Sequence, residues 1–205
     1  MDIEAVRKRI RELVAVAAPE AIDLSRDILE HPETGFRETR TADLVSQWFT
    51  HHALPYKSGL AVTGVRADLT GLTTGPRVAV MGELDSLIVP GHPHGDSNNN
   101  FAHACGHHAQ IGMMLAVSAA LADPDIREHL GGSVAFLAVP AEEYIELEFR
   151  KSLVEAGQLE FMGGKAELVR LGVFDDIDLA MLTHASSNQS EGILAVEAVN
   201  NGALA

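Results

Sequence analysis

The run Gly132-Ser133-Val134-Ala135-Phe136-Leu137-Ala138-Val139, followed directly by Pro140-Ala141-Glu142-Glu143, decides the fold class of this chain. An almost unbroken apolar run that ends at a proline predicts a strand buried on both faces of a sheet. In α/β sheets, ligands gather in the crevice beyond the carboxyl ends of the strands. The paired glutamates therefore stand where such a fold places its chemistry.

Helices and strands alternate on both sides of this run. Apolar spacing predicts helices over 3–30 (divided or kinked at Pro19), 39–49, 107–121, 147–156 and 164–171, and strands over 60–69, 77–81, 132–139 and 177–182. This alternation predicts an α/β fold with a mixed, mostly parallel sheet flanked by helices. Two more strand ends carry polar residues: Glu83 and Asp85 follow the strand over 77–81, and His184 follows the strand over 177–182. We expect this last strand to be buried.

Composition excludes several classes of function. The 205 residues are 46% hydrophobic, enough for one sizeable core, and the net charge of −14 argues against a nucleic-acid partner. One cysteine cannot form an internal disulfide, and the charged amphipathic N-terminus is unlike a signal peptide. No apolar run reaches the roughly 20 residues that span a bilayer. We therefore expect a cytoplasmic protein without a membrane span.

The stretch His103-Ala104-Cys105-Gly106-His107-His108 places the only cysteine among histidines. Thiolate, imidazole and carboxylate groups are the ligands of borderline-soft divalent ions such as zinc. A lone cysteine is more often a small buried hydrophobe, but with His107 two residues on we interpret Cys105 as a metal ligand. His92 and His94, in the irregular stretch 90–102, are interpreted as surface residues of a loop.

Three carboxylates, those of Glu142, Glu143 and Asp85, could supply the other groups that a hydrolytic metal site needs. Adjacent side chains such as Glu142 and Glu143 can point in different directions, so one can bind the ion while the other accepts a proton from its water. Asp85 has the chemistry to orient a metal-bound imidazole. The simpler alternatives are a solvated turn for the paired glutamates and a turn that satisfies backbone donors for Asp85.

Five stretches together resemble the M20 metallopeptidase family, in particular its branch of hippurate, indole-acetyl-amino-acid and aminobenzoyl-glutamate hydrolases. They are His31-Pro32-Glu33 with Gly35-Phe36-Arg37-Glu38, Glu83-Leu84-Asp85-Ser86-Leu87, His103-Ala104-Cys105-Gly106-His107, Pro140-Ala141-Glu142-Glu143 and Thr183-His184, in the order of that family. The resemblance implies a zinc-exopeptidase-like catalytic domain. It implies that Cys105 shares two metal ions and that His107, Glu143 and His184 are further ligands.

The resemblance also implies the chemistry. One or two divalent ions, zinc, manganese, cobalt or nickel, would activate water with Glu142 as general base and Asp85 in support. The implied substrates are N-acyl amino acids or small peptides, cleaved at an amide bond. Members of this family are normally longer, so residues 1–190 are expected to be part of the catalytic domain. Residues 191–205 would begin the connection to an inserted dimerisation domain, and the longer protein would be a homodimer. We expect the 205-residue chain by itself to have little or no activity.

Three departures from the family pattern lie beside the proposed centre. Glu83 and His108 each stand where aspartate is usual, and Tyr144-Ile145-Glu146-Leu147-Glu148 replaces a glycine-rich segment. They bear on substrate choice more than on metal binding. One alternative is a non-catalytic α/β module in which the same residues hold a metal or another ligand. The other is an interaction domain without metal, in which Cys105 is buried packing.

Overall fold

The apolar run that decides the fold class forms the middle of the sheet. The computed structural model of the chain describes residues 1–185. Its helices are α1 (Ile3–Glu30), α2 (Thr39–His51), α3 (His107–Ala122), α4 (Pro124–Arg127), α5 (Leu147–Glu155) and α6 (Gly164–Arg170). Its strands are β1 (Tyr56–Leu60), β2 (Gly64–Thr70), β3 (Thr73–Glu83), β4 (Leu87–Ile88), β5 (Phe101–Ala102), β6 (Gly131–Val139) and β7 (Leu179–Leu182).

The main sheet has the strand order β1-β2-β6-β3-β7, and β4 and β5 form a separate two-stranded sheet. β3 runs parallel to both β6 and β7, whereas β2 runs antiparallel to both β1 and β6. The mixed sheet predicted from the sequence is confirmed. Two of the four strand pairings are parallel, so parallel pairing makes up half of the described sheet and does not dominate it.

Both faces of β6 are covered, as its apolar sequence predicts. On one face Phe136 packs in a core that α1, α2 and α3 complete with side chains such as Phe49 and Ile111. On the other face Leu137 packs in a second core with residues such as Leu168 of α6. Successive side chains of a strand point to opposite faces, so this one strand supplies both cores.

Three elements differ from the prediction. α1 continues through Pro19 as a single helix. The strand predicted over 60–69 is a hairpin, because the chain reverses at Ala61 and Val62, which have φ values of 46° and 76°. The turn itself contains no glycine, although Gly59 and Gly64 flank it. β7 was expected to be buried, but all four of its residues are exposed, since it pairs with β3 at the edge of the described sheet.

Within residues 1–185, no helix is both long and apolar enough to cross a membrane. The connection predicted over 191–205, and the end of the catalytic domain predicted at residue 190, lie outside the described residues.

Candidate metal centre

Three strand ends and one helix start meet at one edge of the sheet. β3 ends at Glu83 and leads to Asp85, β6 leads to Glu142 and Glu143, and β7 leads to His184. Parallel strands place their carboxyl ends at the same edge, which is why these distant stretches converge. α3 begins there as well, and every site residue predicted from the sequence lies at this edge.

His107 is the centre of the arrangement. It opens α3 directly after Gly106, whose φ of 88° is a conformation that favours glycine. The ring is 1% exposed, and its Nδ1 lies 2.7 Å from the carbonyl oxygen of Asp85 and 3.3 Å from Oδ1 of the same residue. Asp85 thus holds the Nδ1 side of the ring and leaves Nε2 facing the site, as expected of a residue that orients a metal ligand.

Three carboxylates surround Nε2 of His107. Oε2 of Glu83 lies 2.9 Å away, Oε2 of Glu142 lies 3.9 Å away, and Oε1 of Glu143 lies 4.0 Å away. Nε2 of His107 and Oε2 of Glu83 are buried, and neither makes a well-formed hydrogen bond within residues 1–185. Two ligands bonded to one tetrahedral zinc ion at about 2.1 Å are themselves about 3.4 Å apart, and the three carboxylate oxygens lie on either side of this distance from Nε2, so they are within reach of a shared ion.

A thiol and a second imidazole lie on the other side of His107. Sγ of Cys105 is 3.4 Å from Nε2 of His184. Cys105, His107 and His184 offer donor atoms that all lie within 4.8 Å of one another, and so do Glu83, His107 and Glu142. The two donor sets share His107.

Two residues of this site were given no role by the sequence analysis. Glu83, 1% exposed, was placed at a strand end but seen only as a replacement for aspartate. Lys165 of α6 forms an ion pair with Oε1 of Glu83, and its Nζ lies 3.7 Å from Oε1 of Glu142. The feature of the sequence that could have identified Glu83 as a site residue was its position directly after a predicted strand. Nothing in the local sequence marks Lys165, because only the tertiary fold brings α6 to this edge.

Electrostatics at the centre follow from burial and from close opposite charges. Burial disfavours the charged form of His107, but its contacts with Asp85 and Glu83 outweigh this and raise its pKa to about 11. Burial likewise opposes ionisation of Glu83, yet His107 and Lys165 lower its pKa to about 2. Burial raises the pKa of the Cys105 thiol. Without an ion, His107 and Glu83 are therefore a charged pair at neutral pH.

The turn before the paired glutamates is held by two buried ionisable side chains, Glu38 and Arg150. Ala141 has φ of 48°, an uncommon conformation for a residue with a side chain. Its N–H donates to Oε1 of Glu38 at 2.7 Å, and its carbonyl accepts from the Gly164 N–H at 3.0 Å and from Nη1 of Arg150 at 3.4 Å. Glu38 and Arg150 are both 0% exposed. This clamp fixes the backbone from which Glu142 and Glu143 project.

Arg150 and Glu38 tie that turn to the rest of the fold. Arg150 also donates to the carbonyl of Met162 at 2.8 Å and to the carbonyl of Glu143. Oε2 of Glu38 accepts a hydrogen bond from the Thr63 hydroxyl at 2.6 Å. Burial raises the pKa of Glu38 to about 8, and the nearby negative charge of Asp85 adds to this. The sequence analysis had noted Glu38 only as part of a family pattern.

Known hydrolases are similar to this chain. No protein-family model matches the chain. The chain is similar to the N-acyl-L-amino acid amidohydrolase of Geobacillus stearothermophilus, with 27% identity over 193 residues, 93% of the chain and 47% of the relative. It is also similar to the IAA-amino acid hydrolase ILR1-like 5 of Arabidopsis thaliana, with 33% identity over 145 residues, 69% of the chain and 32% of the relative.

A solved structure shares the fold. It is that of the Bacillus subtilis YXEP protein, a dinuclear metal binding peptidase from the M20 family, with a TM-score of 0.65 and 24% identity over 81% of this chain and 42% of that one. The chain belongs to the M20 family. This M20 chain spans less than half the length of each of these proteins.

The glycine-rich segment missing after the paired glutamates has a counterpart in this M20 chain. The backbone leaves the site after Glu143, forms α5, and returns at Gly163 and Gly164. A Cβ on Gly164 would clash with the carbonyl oxygen of Pro140, so glycine is needed where the returning chain crosses the end of β6. Gly163 and Gly164 therefore lie beside the turn that carries Glu142 and Glu143, and Lys165 follows them directly in the chain.

Proposed function

We propose that this edge of the sheet is the metal centre of an amidohydrolase that cleaves N-acyl amino acids or small peptides. The observation that carries the proposal is the meeting of two donor sets at His107, one with Cys105 and His184 and one with Glu83 and Glu142. The donor chemistry fits a borderline-soft divalent ion, and the buried Nε2 of His107 makes no well-formed hydrogen bond within the described chain. Zinc, manganese, cobalt and nickel all suit such a donor set.

The ligands we propose are Cys105, His107, Glu143 and His184, with Glu83 within reach of His107. A bound divalent ion supplies a Lewis acid that polarises the amide carbonyl and lowers the pKa of water. Asp85 holds the tautomer of His107 in which Nε2 is free to bind, because Nδ1–H donates to its carbonyl. Asp85 also accepts the N–H of Glu143 at 2.9 Å, which couples the two strand ends.

Glu142 is the proposed general base. It is the more exposed of the paired glutamates, with 33% of its side chain exposed against 18% for Glu143, so water and substrate reach it more easily. Its carboxylate would accept a proton from the attacking water and return it to the departing amine. The ammonium of Lys165 lies 3.7 Å from Oε1 of Glu142 and can help to hold this side chain in place.

The test separates metal binding from catalysis. We expect elemental analysis to find bound divalent metal in the protein purified without chelator, and to find it lost in Cys105→Ala and His107→Ala. The double variant His92→Ala/His94→Ala, which removes two histidines outside the centre, is the matched control. Metal content that is unchanged in Cys105→Ala and His107→Ala would refute the centre.

Activity is then measured on a panel of N-acetylated and N-benzoylated amino acids. The metal-loaded protein used carries this chain together with the inserted domain expected from the family, because the 205-residue chain by itself is expected to have little or no activity. We expect Glu142→Gln to keep its metal and to lose at least 100-fold in turnover, the size expected of a positioned base. Glu148→Gln, an exposed residue of α5, is the control and keeps its turnover. Turnover that survives in Glu142→Gln removes this residue from the base role. Bound metal with no turnover of any substrate favours the non-catalytic binding module.

A further inference from the structure

A second cluster of metal-ligating side chains lies between the first two helices, outside the site described above. Glu20 of α1 faces His51, the last residue of α2, and His52, which caps that helix. One ligand atom from each of these residues lies within 4.8 Å of the others. Two imidazoles and one carboxylate are a donor set found in zinc sites. We propose that Glu20, His51 and His52 form a second divalent-metal site that links α1 to α2.

The position of His52 supports this assignment. Its ring packs against Trp48 with 4.5 Å between ring centroids, and against His51 with 4.9 Å and an angle of 89° between the planes. Nε2 of His52 is buried and has no hydrogen-bond partner in residues 1–185. A buried polar atom without a partner costs free energy, which coordination of a cation by this ring would offset in part.

The local field attracts a cation as well. Both histidines stand at the carboxyl end of α2, where the helix dipole places partial negative charge. Glu20 adds a full negative charge, and within the described part of the chain no lysine or arginine forms an ion pair with it. Glu20 and His51 are exposed, so their side chains can adjust around an ion without disturbing the core.

Zinc binding at this site is separable from the centre at His107, because the two share no residue. The first measurement is equilibrium dialysis against Zn²⁺ near neutral pH, followed by elemental analysis of the protein. We expect Glu20→Gln and His51→Ala each to lose one zinc per chain at a concentration that saturates the wild type. The double variant His92→Ala/His94→Ala, which removes two histidines outside this cluster, is the matched control and keeps the wild-type zinc content. Unchanged zinc in Glu20→Gln and His51→Ala, or an equal loss in the control, would overturn the proposal.

The second measurement uses Trp48, the only tryptophan of the chain, as a local probe. Because Trp48 packs on His52, Co²⁺ bound at this site should quench its fluorescence, and excess Zn²⁺ should restore it. We expect the quenching to persist in Cys105→Ala and to disappear in Glu20→Gln and His51→Ala, while circular dichroism confirms that each variant is folded. Quenching that survives in these two variants, or that disappears in Cys105→Ala, rejects a site between α1 and α2.

Discussion

Replacing Glu38 by glutamine should make the protein more stable at high pH, and the gain should follow a defined slope. Glu38 is 0% exposed, and burial raises its pKa from 4.5 to about 8. Below pH 4.5 the carboxyl group is protonated in both the folded and the unfolded chain. Between the two pKa values the folded protein keeps a proton that the unfolded chain loses, so stability falls as the pH rises. Above about pH 8 both states have lost this proton, and the stability falls no further on account of Glu38.

The size of the effect follows from the shift. One pKa unit corresponds to about 1.4 kcal/mol, so the buried carboxyl group costs roughly 3–6 kcal/mol above pH 8. Glutamine carries no titrating proton. It can still accept from the Ala141 N–H with its oxygen and donate to the Thr63 hydroxyl with its amide, so both hydrogen bonds survive.

Urea unfolding of the wild type and of Glu38→Gln from about pH 5 to about pH 9 provides the assay. We expect the difference in free energy of unfolding to grow by about 1.4 kcal/mol per pH unit up to pH 8, in favour of the variant, and then to level off. Glu148→Gln removes an exposed carboxyl group and should follow the wild type throughout. Parallel pH profiles for the wild type and Glu38→Gln would refute the reasoning.

Three further substitutions test the supports of the glutamate turn by urea unfolding. Arg150→Met removes three hydrogen bonds that a buried charged donor makes to backbone carbonyls, and we expect the free energy of unfolding to fall by about 3 kcal/mol or more; a fall of under about 1 kcal/mol would contradict the clamp. Lys165→Met removes one partner of the buried Glu83 carboxylate and should lower the free energy of unfolding by about 1–3 kcal/mol. Lys151→Met breaks an exposed ion pair and should lower it by under about 1 kcal/mol. Equal losses in the two variants would argue against the contact between Lys165 and Glu83. Gly164→Ala should prevent stable folding, because its Cβ would clash with the carbonyl oxygen of Pro140 at the end of β6, whereas Gly131→Ala should be tolerated. Similar stability of the two variants would contradict the close approach of Gly164 to Pro140.

Much of the fold was readable in the sequence because it depends on local pattern. The apolar run over 132–139 predicted a strand buried on both faces, and the periodicity of 107–121 predicted the helix that opens at His107. Alternation of such elements predicted the mixed sheet. The hairpin at Ala61 and Val62 was missed because the turn itself contains no glycine or proline, although Gly59 and Gly64 flank it.

The predicted site residues do converge, because they follow three strand ends or stand at the start of α3, and the topology brings these positions to one edge. The local sequence could not predict which of the side chains at this edge point toward one another. Glu83 was seen as a replacement for aspartate, yet its Oε2 is the carboxylate oxygen nearest to Nε2 of His107. Its distance from His107 depends on how α3 packs against β3, which is a property of tertiary structure.

The sequence by itself determined the fold class, the metal-ligating residue types and their placement at strand ends, because period and residue chemistry are local properties. Only the tertiary structure decided that Lys165 of α6 pairs with Glu83, and that Glu38 and Arg150 hold Ala141. These contacts join residues far apart along the chain. Their strength comes from burial, which raises the cost of any unpaired charge or hydrogen-bonding group and so selects one arrangement of the site.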